Sequence, residues 1–157
     1  MKNKITKEIH YTDSIHYELE QTARLMKMLT VQLFEKLDIQ LSLDECAALD
    51  LISVKKEICQ RDLAKLILKD RANTGRILNT LEKKNLIERF IDTKNNRLVK
   101  KMVITANGVK TLQEVSEKIK THLESATPAV SHEEIKKVQE VLKNFRIDLE
   151  KIVHIKI

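Results

Sequence analysis

Residues 61–85 read Arg61-Asp62-Leu63-Ala64-Lys65-Leu66-Ile67-Leu68-Lys69-Asp70-Arg71-Ala72-Asn73-Thr74-Gly75-Arg76-Ile77-Leu78-Asn79-Thr80-Leu81-Glu82-Lys83-Lys84-Asn85, and this stretch decides the fold. Leu63, Ala64 and Ile67 share one side of a short helix, because residues three and four apart fall on the same face. The break Leu68-Lys69-Asp70 follows, and the Asp70 carboxylate is suited to accept from the free amides that open a second helix. That helix is predicted to run to about Lys84 with Thr74, Ile77, Leu78 and Leu81 inward, and Asn85 stands where a left-handed stop is tolerated. The order is helix, short turn, helix.

Immediately downstream, Leu86 to Ile91 and Leu98 to Ile104 are rich in branched residues and are joined by the polar loop Asp92 to Arg97. This predicts a β-hairpin with an exposed, basic tip. A helix-turn-helix followed at once by such a hairpin is the order of a winged helix-turn-helix. Charge supports it: residues 61–101 hold 12 Lys and Arg against 5 Asp and Glu, a net of +7, so the other 17 basic and 18 acidic residues of the chain sum to −1. The entire basic excess therefore lies in the same segment, and points to an anionic polymer as partner.

Outside this segment the chain is helical. Ile15, Leu19, Met26, Leu29, Leu33 and Leu37 draw a stripe on a long helix from Asp13 to about Leu37. Ser42 and Glu45 have capping-box spacing and open a helix with Cys46, Leu49 and Ile52 on one face, ended by Lys55 to Glu57. Thr105 is a cap for a helix striped by Val109, Leu112, Val115, Ile119 and Leu123, which breaks at Thr127-Pro128. Ser131 and Glu134 repeat the capping box, and Ile135, Val138, Leu142, Phe145, Leu149 and Ile152 then form a seam of the kind that packs helix against helix. Exposed on a chain of 157 residues, that seam calls for a second copy to cover it.

The expected fold class is mainly α with a small hairpin wing. Residues 1–157 form a single domain, with 42–104 the winged helix-turn-helix and 13–40 with 105–157 a helical dimerisation region. Only 2 Gly and 1 Pro occur, where average usage would give roughly 11 and 8, which disfavours turn-rich β sandwiches. Gly75 and Gly108 stand too far apart for either a dinucleotide fingerprint or a phosphate-binding loop. No stretch has the length and apolarity of a membrane span and the polar start has no signal-peptide core, so a cytoplasmic protein without membrane contact is expected.

Reading duplex DNA requires an element narrow enough for the major groove, cations for phosphate, and side chains for base edges. The second helix offers Arg71, Asn73, Arg76, Asn79 and Thr80 outward, where arginine suits guanine O6 and N7 and asparagine suits adenine N6 and N7. Lys94 and Arg97 supply cations at the hairpin tip; Arg61 and Lys65 either touch phosphate or face water, and Lys83 and Lys84 read as a solvated helix end. Gly75 costs about 1 kcal/mol relative to Ala within a helix; it is either a neutral flaw or a place where the backbone lies against DNA.

These residues resemble the MarR family of dimeric winged-helix transcription regulators, over nearly the whole chain. The matching motifs are Asp62-Leu63-Ala64, Arg76 with Leu81-Glu82-Lys83-Lys84-Asn85-Leu86-Ile87-Glu88-Arg89, Asp92 to Arg97, and Ile104-Thr105 with Gly108. The family has Gly where Asn85 stands and a second Asp where Asn95 stands, and the latter departure weakens the expected acid–arginine bracing of the wing. The resemblance implies that Arg76 lies in the major groove and that Arg97 reaches a minor groove or its phosphates. It also implies that the first helix, with Ile15 and Leu19, and the last two helices form a homodimer on a near-palindromic operator. It further implies a repressor relieved by a small-molecule effector, a metal or an oxidant.

Devices for such relief are sparse. Cys59 falls at a helix start, as either a redox-sensing thiol or a weak cap, and Cys46 reads as a core thiol. Tyr11, His16 and Tyr17 cluster at the start of the first helix and are candidates for lining a ligand cleft, with interface packing as the alternative. His10, His16, His122, His132 and His154 have no ligand spacing among themselves or with cysteine, so no metal and no cofactor are expected. No nucleophile sits in a catalytic setting and no enzyme is expected. The competing reading of the same fold is a protein–protein adaptor with a basic face.

Overall fold

The computed structural model describes residues 10–126 and 130–153. The chain divides between residues 40 and 41 into two compact units. In the first, a single 3-10 turn, Tyr11–Asp13, leads into α1, Ile15–Lys36. Ser14 caps α1, its hydroxyl accepting from the Tyr17 amide at 3.2 Å, and the chain leaves the helix through Asp38 at φ 50°. The Tyr11 ring lies 5.8 Å from that of His16, tilted by 51°, and meets that of Tyr17 edge-on at 5.7 Å. Ile15, Leu25, Met26, Met28 and Leu29 are exposed on α1, and Leu19 is half-buried.

The second unit opens with α2, Leu43–Val54, whose capping box forms as the spacing predicts: the Glu45 amide donates to Ser42 Oγ at 3.1 Å and the Ser42 amide to Glu45 Oε2 at 3.0 Å. A two-residue strand β1, Ile58–Cys59, precedes α3, Gln60–Leu66, and α4, Arg71–Lys83. Strands β2, Ile87–Lys94, and β3, Arg97–Ile104, complete an antiparallel sheet ordered β1-β3-β2. Helices α5, Ala106–Ala126, and α6, His132–Ile152, close the chain.

The core of this unit is built by the apolar sides of α2, α3, α4 and the sheet: Leu49, Ile52, Leu63, Leu78, Leu81, Ile87 and Met102 are at most 1% exposed. Thr74, also buried, satisfies its hydroxyl by donating to Asp70 O at 2.8 Å, as a buried polar group must. Asn85 takes the left-handed conformation, φ 55°, ending α4 where the sequence places the stop.

The wing differs from expectation. The six-residue loop Asp92 to Arg97 is mostly strand: the ladder continues through Asp92↔Val99 and Thr93↔Leu98 to Lys94↔Arg97. Only Asn95 and Asn96 turn, at φ 51° and 60°. Two consecutive left-handed residues make the tight turn whose twist matches that of the strands, and asparagine is the non-glycine residue that tolerates it best. Strand β1 was not expected, being too short to show a period; it pairs Ile58 with Met102 and Cys59 with Lys101.

Thr105 caps α5, accepting from the Gly108 amide at 2.9 Å, and also donates its hydroxyl to Asn85 O at 2.8 Å. Gly108 has no room for a side chain, since a Cβ there would lie 2.1 Å from Leu86 O. The expected break at Thr127-Pro128 lies outside the described residues. In α6 the second capping box forms at Ser131 and Glu134. Ile135 is half-buried, whereas Val138, Leu142, Phe145, Leu149 and Ile152 are 40–73% exposed.

Candidate nucleic-acid interface

Helix α4 buries Thr74, Leu78 and Leu81, and so turns Arg76 and Asn79 outward. Its first turn is fixed by Asp70, whose carboxylate accepts from the Asn73 amide at 2.7 Å and from Asn73 Nδ2 at 2.6 Å. The same Asn73 backbone bond is the main reason the Asp70 carboxyl is held below its usual range. Asn73 is thus half-buried and engaged in the cap, and Thr80 returns its hydroxyl to Arg76 O at 3.1 Å. Arg71 and Arg76 are exposed at the surface. Of the predicted base-reading residues, Arg76 and Asn79 project from the outer face, while Asn73 and Thr80 also serve the helix itself.

A second arrangement was not expected. Arg89 of β2 donates through Nε to Glu82 Oε2 at 3.0 Å, and its Nη2 bonds both Glu82 Oε2 and, at 2.9 Å, Asn79 Oδ1. Glu82 is held below the ordinary carboxylate range mainly by this guanidinium. The strand is thereby clamped to the outer edge of α4. Lys84, exposed at the end of α4 as expected, also reaches Glu45 Oε2 at 3.0 Å and joins α4 to the capping box of α2.

Between α3, the start of α4 and the wing lies an open groove of about 840 Å³ whose cations are Arg61, Arg71, Arg97 and Lys100. Three of these were singled out from sequence, and folding brings them from three separate elements to one surface. The Lys94 side chain lies outside the described residues. The wing is braced, though not by arginine. Lys101 Nζ bonds Asp92 and, at 3.1 Å, Glu57, which sits at φ 57° in the turn before β1. Asp92 is held below its usual range chiefly by Lys101. No period betrays such a pair in sequence; the only signal is that Asp92 and Lys101 lie on the same face of a hairpin closed at Asn95-Asn96.

Cys59 precedes α3 without a side-chain cap bond, but its thiol donates to Asp62 Oδ2 at 3.0 Å. Cys46 is half-buried, and burial pushes its thiol up to about 11. Tyr11, His16 and Tyr17 form their cluster within the first unit, with Tyr11 57% exposed and donating to Glu20 Oε2 at 3.1 Å. Among the described residues no three His, Cys, Asp or Glu side chains gather as metal ligands, and no helix is long and apolar enough to cross a membrane.

Residues 41–99 match the sequence model of the MarR family. No curated protein matches the chain at a significant level. Among solved structures, a transcriptional regulator of the MarR family from Rhodococcus sp. RHA1 superposes with a TM-score of 0.77 at 14% identity, covering 87% of this chain and 94% of that one. Bordetella bronchiseptica BpsR, whose DNA binding is regulated by 6-hydroxynicotinic acid, gives 0.75 at 15% identity over 88% and 96% of the two chains. Staphylococcus aureus MepR in complex with DNA gives 0.68 at 20% identity over 89% and 99%. Residues 41–99 of this chain thus match the MarR family model over a winged helix-turn-helix, and the chain has the fold of solved MarR-family regulators.

Proposed function

We propose that this protein is a homodimeric, sequence-specific DNA-binding transcription regulator, acting as a repressor that an effector relieves. The observation that carries the reading is the groove in which Arg61, Arg71, Arg97 and Lys100 converge beside the exposed outer face of α4. Cations on the flanks take phosphate and fix register, while Arg76 and Asn79 meet base edges. The likeness to MepR, solved on DNA, supports the same use of the fold here. BpsR, controlled by a small aromatic acid, supports a small-molecule effector.

The exposed apolar residues of α6 supply the reason for pairing: a stripe from Val138 to Ile152 is costly to leave in water, and a second copy covers it most simply. A two-fold dimer sets two recognition helices about one DNA turn apart on a near-palindromic site. Selection of bound duplexes from a random pool tests the whole reading. A two-fold symmetric consensus is the expected result, and a pool that stays random at low salt overturns it.

A further inference from the structure

Asn79 carries an amide whose two ends have opposite character, an acceptor oxygen and a donor NH2. Which end meets a base edge decides what the residue reads. Arg89 settles that question chemically, because a guanidinium has donors and no acceptor. The atom of Asn79 that lies 2.9 Å from Arg89 Nη2 is therefore the oxygen. Arg89 is in turn fixed by Glu82 through Nε and Nη2 and is only partly exposed, its side chain 23% accessible. Glu82 and Asn79 stand three residues apart on neighbouring positions of the α4 surface, so one guanidinium spans both.

The geometry points to Arg89 as the positioning residue for base reading by Asn79. Holding Oδ1 back against β2 turns the Asn79 amide hydrogens away from the guanidinium, toward acceptors such as purine N7, guanine O6 or thymine O4. Without Arg89 the amide is free to rotate, and either end meets the base. Arg89 itself needs no contact with DNA for this role. The inference rests on the proposed DNA-reading function and adds to it the assignment of one specificity determinant.

The test is parallel selection from a random duplex pool by the full-length wild type, Asn79→Ala, Arg89→Met and the double variant, each first checked for a cooperative thermal melt. Arg89→Met is expected to relax preference about tenfold at the same base-pair position that Asn79→Ala relaxes, as the loss of one base-edge contact of about 1 kcal/mol does. The double variant is expected to relax it no further, the non-additivity of coupled residues. If Arg89→Met does not fold, Arg89→Lys is read instead, because a single ammonium does not reproduce the fork that spans Glu82 and Asn79. A purely structural clamp lowers affinity for all sequences equally, with each position's preference intact, and that result overturns the inference. A wild type with no sequence preference overturns the DNA-reading function beneath it; a clear wild-type consensus that Arg89 variants leave untouched sinks the positioning role alone.

Discussion

Asp92 of β2 takes Lys101 of β3 as its ion-pair partner across the wing, not Arg97 at the turn. Arg97 instead lines the groove with Arg61 and Arg71, and Lys101 also ties the wing to the chain before β1 through Glu57.

The pair has a defined pH window. Lys101 lowers the Asp92 carboxyl below its ordinary 3.8, so the stability it gives is present above that value and is lost as pH falls through the lowered one. Asp92 in turn raises the Lys101 ammonium above 10.5, so the same stability is complete below 10.5 and fades at higher pH. Lys101→Met is expected to melt at a lower temperature than the wild type at neutral pH, with the gap closing on acidification below pH 3.8. Thermal melts across that range check it; a gap that is constant with pH argues that Lys101 acts only through its aliphatic stem.

The two glycines are expected to respond oppositely to alanine. At Gly108 the new Cβ meets the Leu86 carbonyl at 2.1 Å, a backbone atom that cannot step aside, so Gly108→Ala is expected to cost about 1–3 kcal/mol or more. At Gly75 the Cβ meets only Gln60 Nε2 at 3.5 Å, and Gly75→Ala is expected to gain up to about 1 kcal/mol. Urea titration measures both. If Gly75→Ala is stabilised yet binds operator more weakly, glycine is there to let the backbone approach DNA; unchanged binding makes it a neutral flaw.

The proposed function divides base reading from charge between Arg76 and Arg97. Arg76→Ala is expected to cost about 1–3 kcal/mol in operator affinity and to relax one position, whereas Arg97→Ala weakens binding to operator and random duplex alike and reduces the salt slope by about 1. Fluorescence anisotropy at several salt concentrations separates the two, and identical behaviour of both variants argues against base reading by Arg76.

Phe145 lies in the middle of the exposed α6 stripe at 44% exposure. Phe145→Glu places a charge where a second copy is proposed to pack, and is expected to move the protein from dimer to monomer in sedimentation velocity and to lower operator affinity with it. A wild type that sediments as a monomer removes the basis for this variant and for the proposed pairing.

What the sequence made legible was what periodicity and capping chemistry carry. Ser42 with Glu45, Asp70, Asn85 and Ser131 with Glu134 are local signals, and each terminus they mark stands where expected. The cations Arg61, Arg71 and Arg97 were legible as charge in one segment, although only folding shows that they share a groove. Illegible were the interactions that depend on register: Arg89 with Asn79 and Glu82, Lys101 with Asp92 and Glu57, and Lys84 with Glu45. Each joins residues from different elements, or across a turn whose length had first to be known. The wing is tighter than its polar composition suggests, because two asparagines in succession make the shortest hairpin turn where either alone suits a longer loop.

The Asn85 carbonyl accepts from Thr105 Oγ1 at 2.8 Å, and the next carbonyl, Leu86 O, accepts from the Thr105 amide at 3.0 Å. With Gly108 seated against Leu86, the chain just past the end of α4 and the first turn of α5 meet at one point. The start of α5 therefore cannot move without moving the chain that leaves α4, so the junction behaves as one joint and not as two independent helix ends.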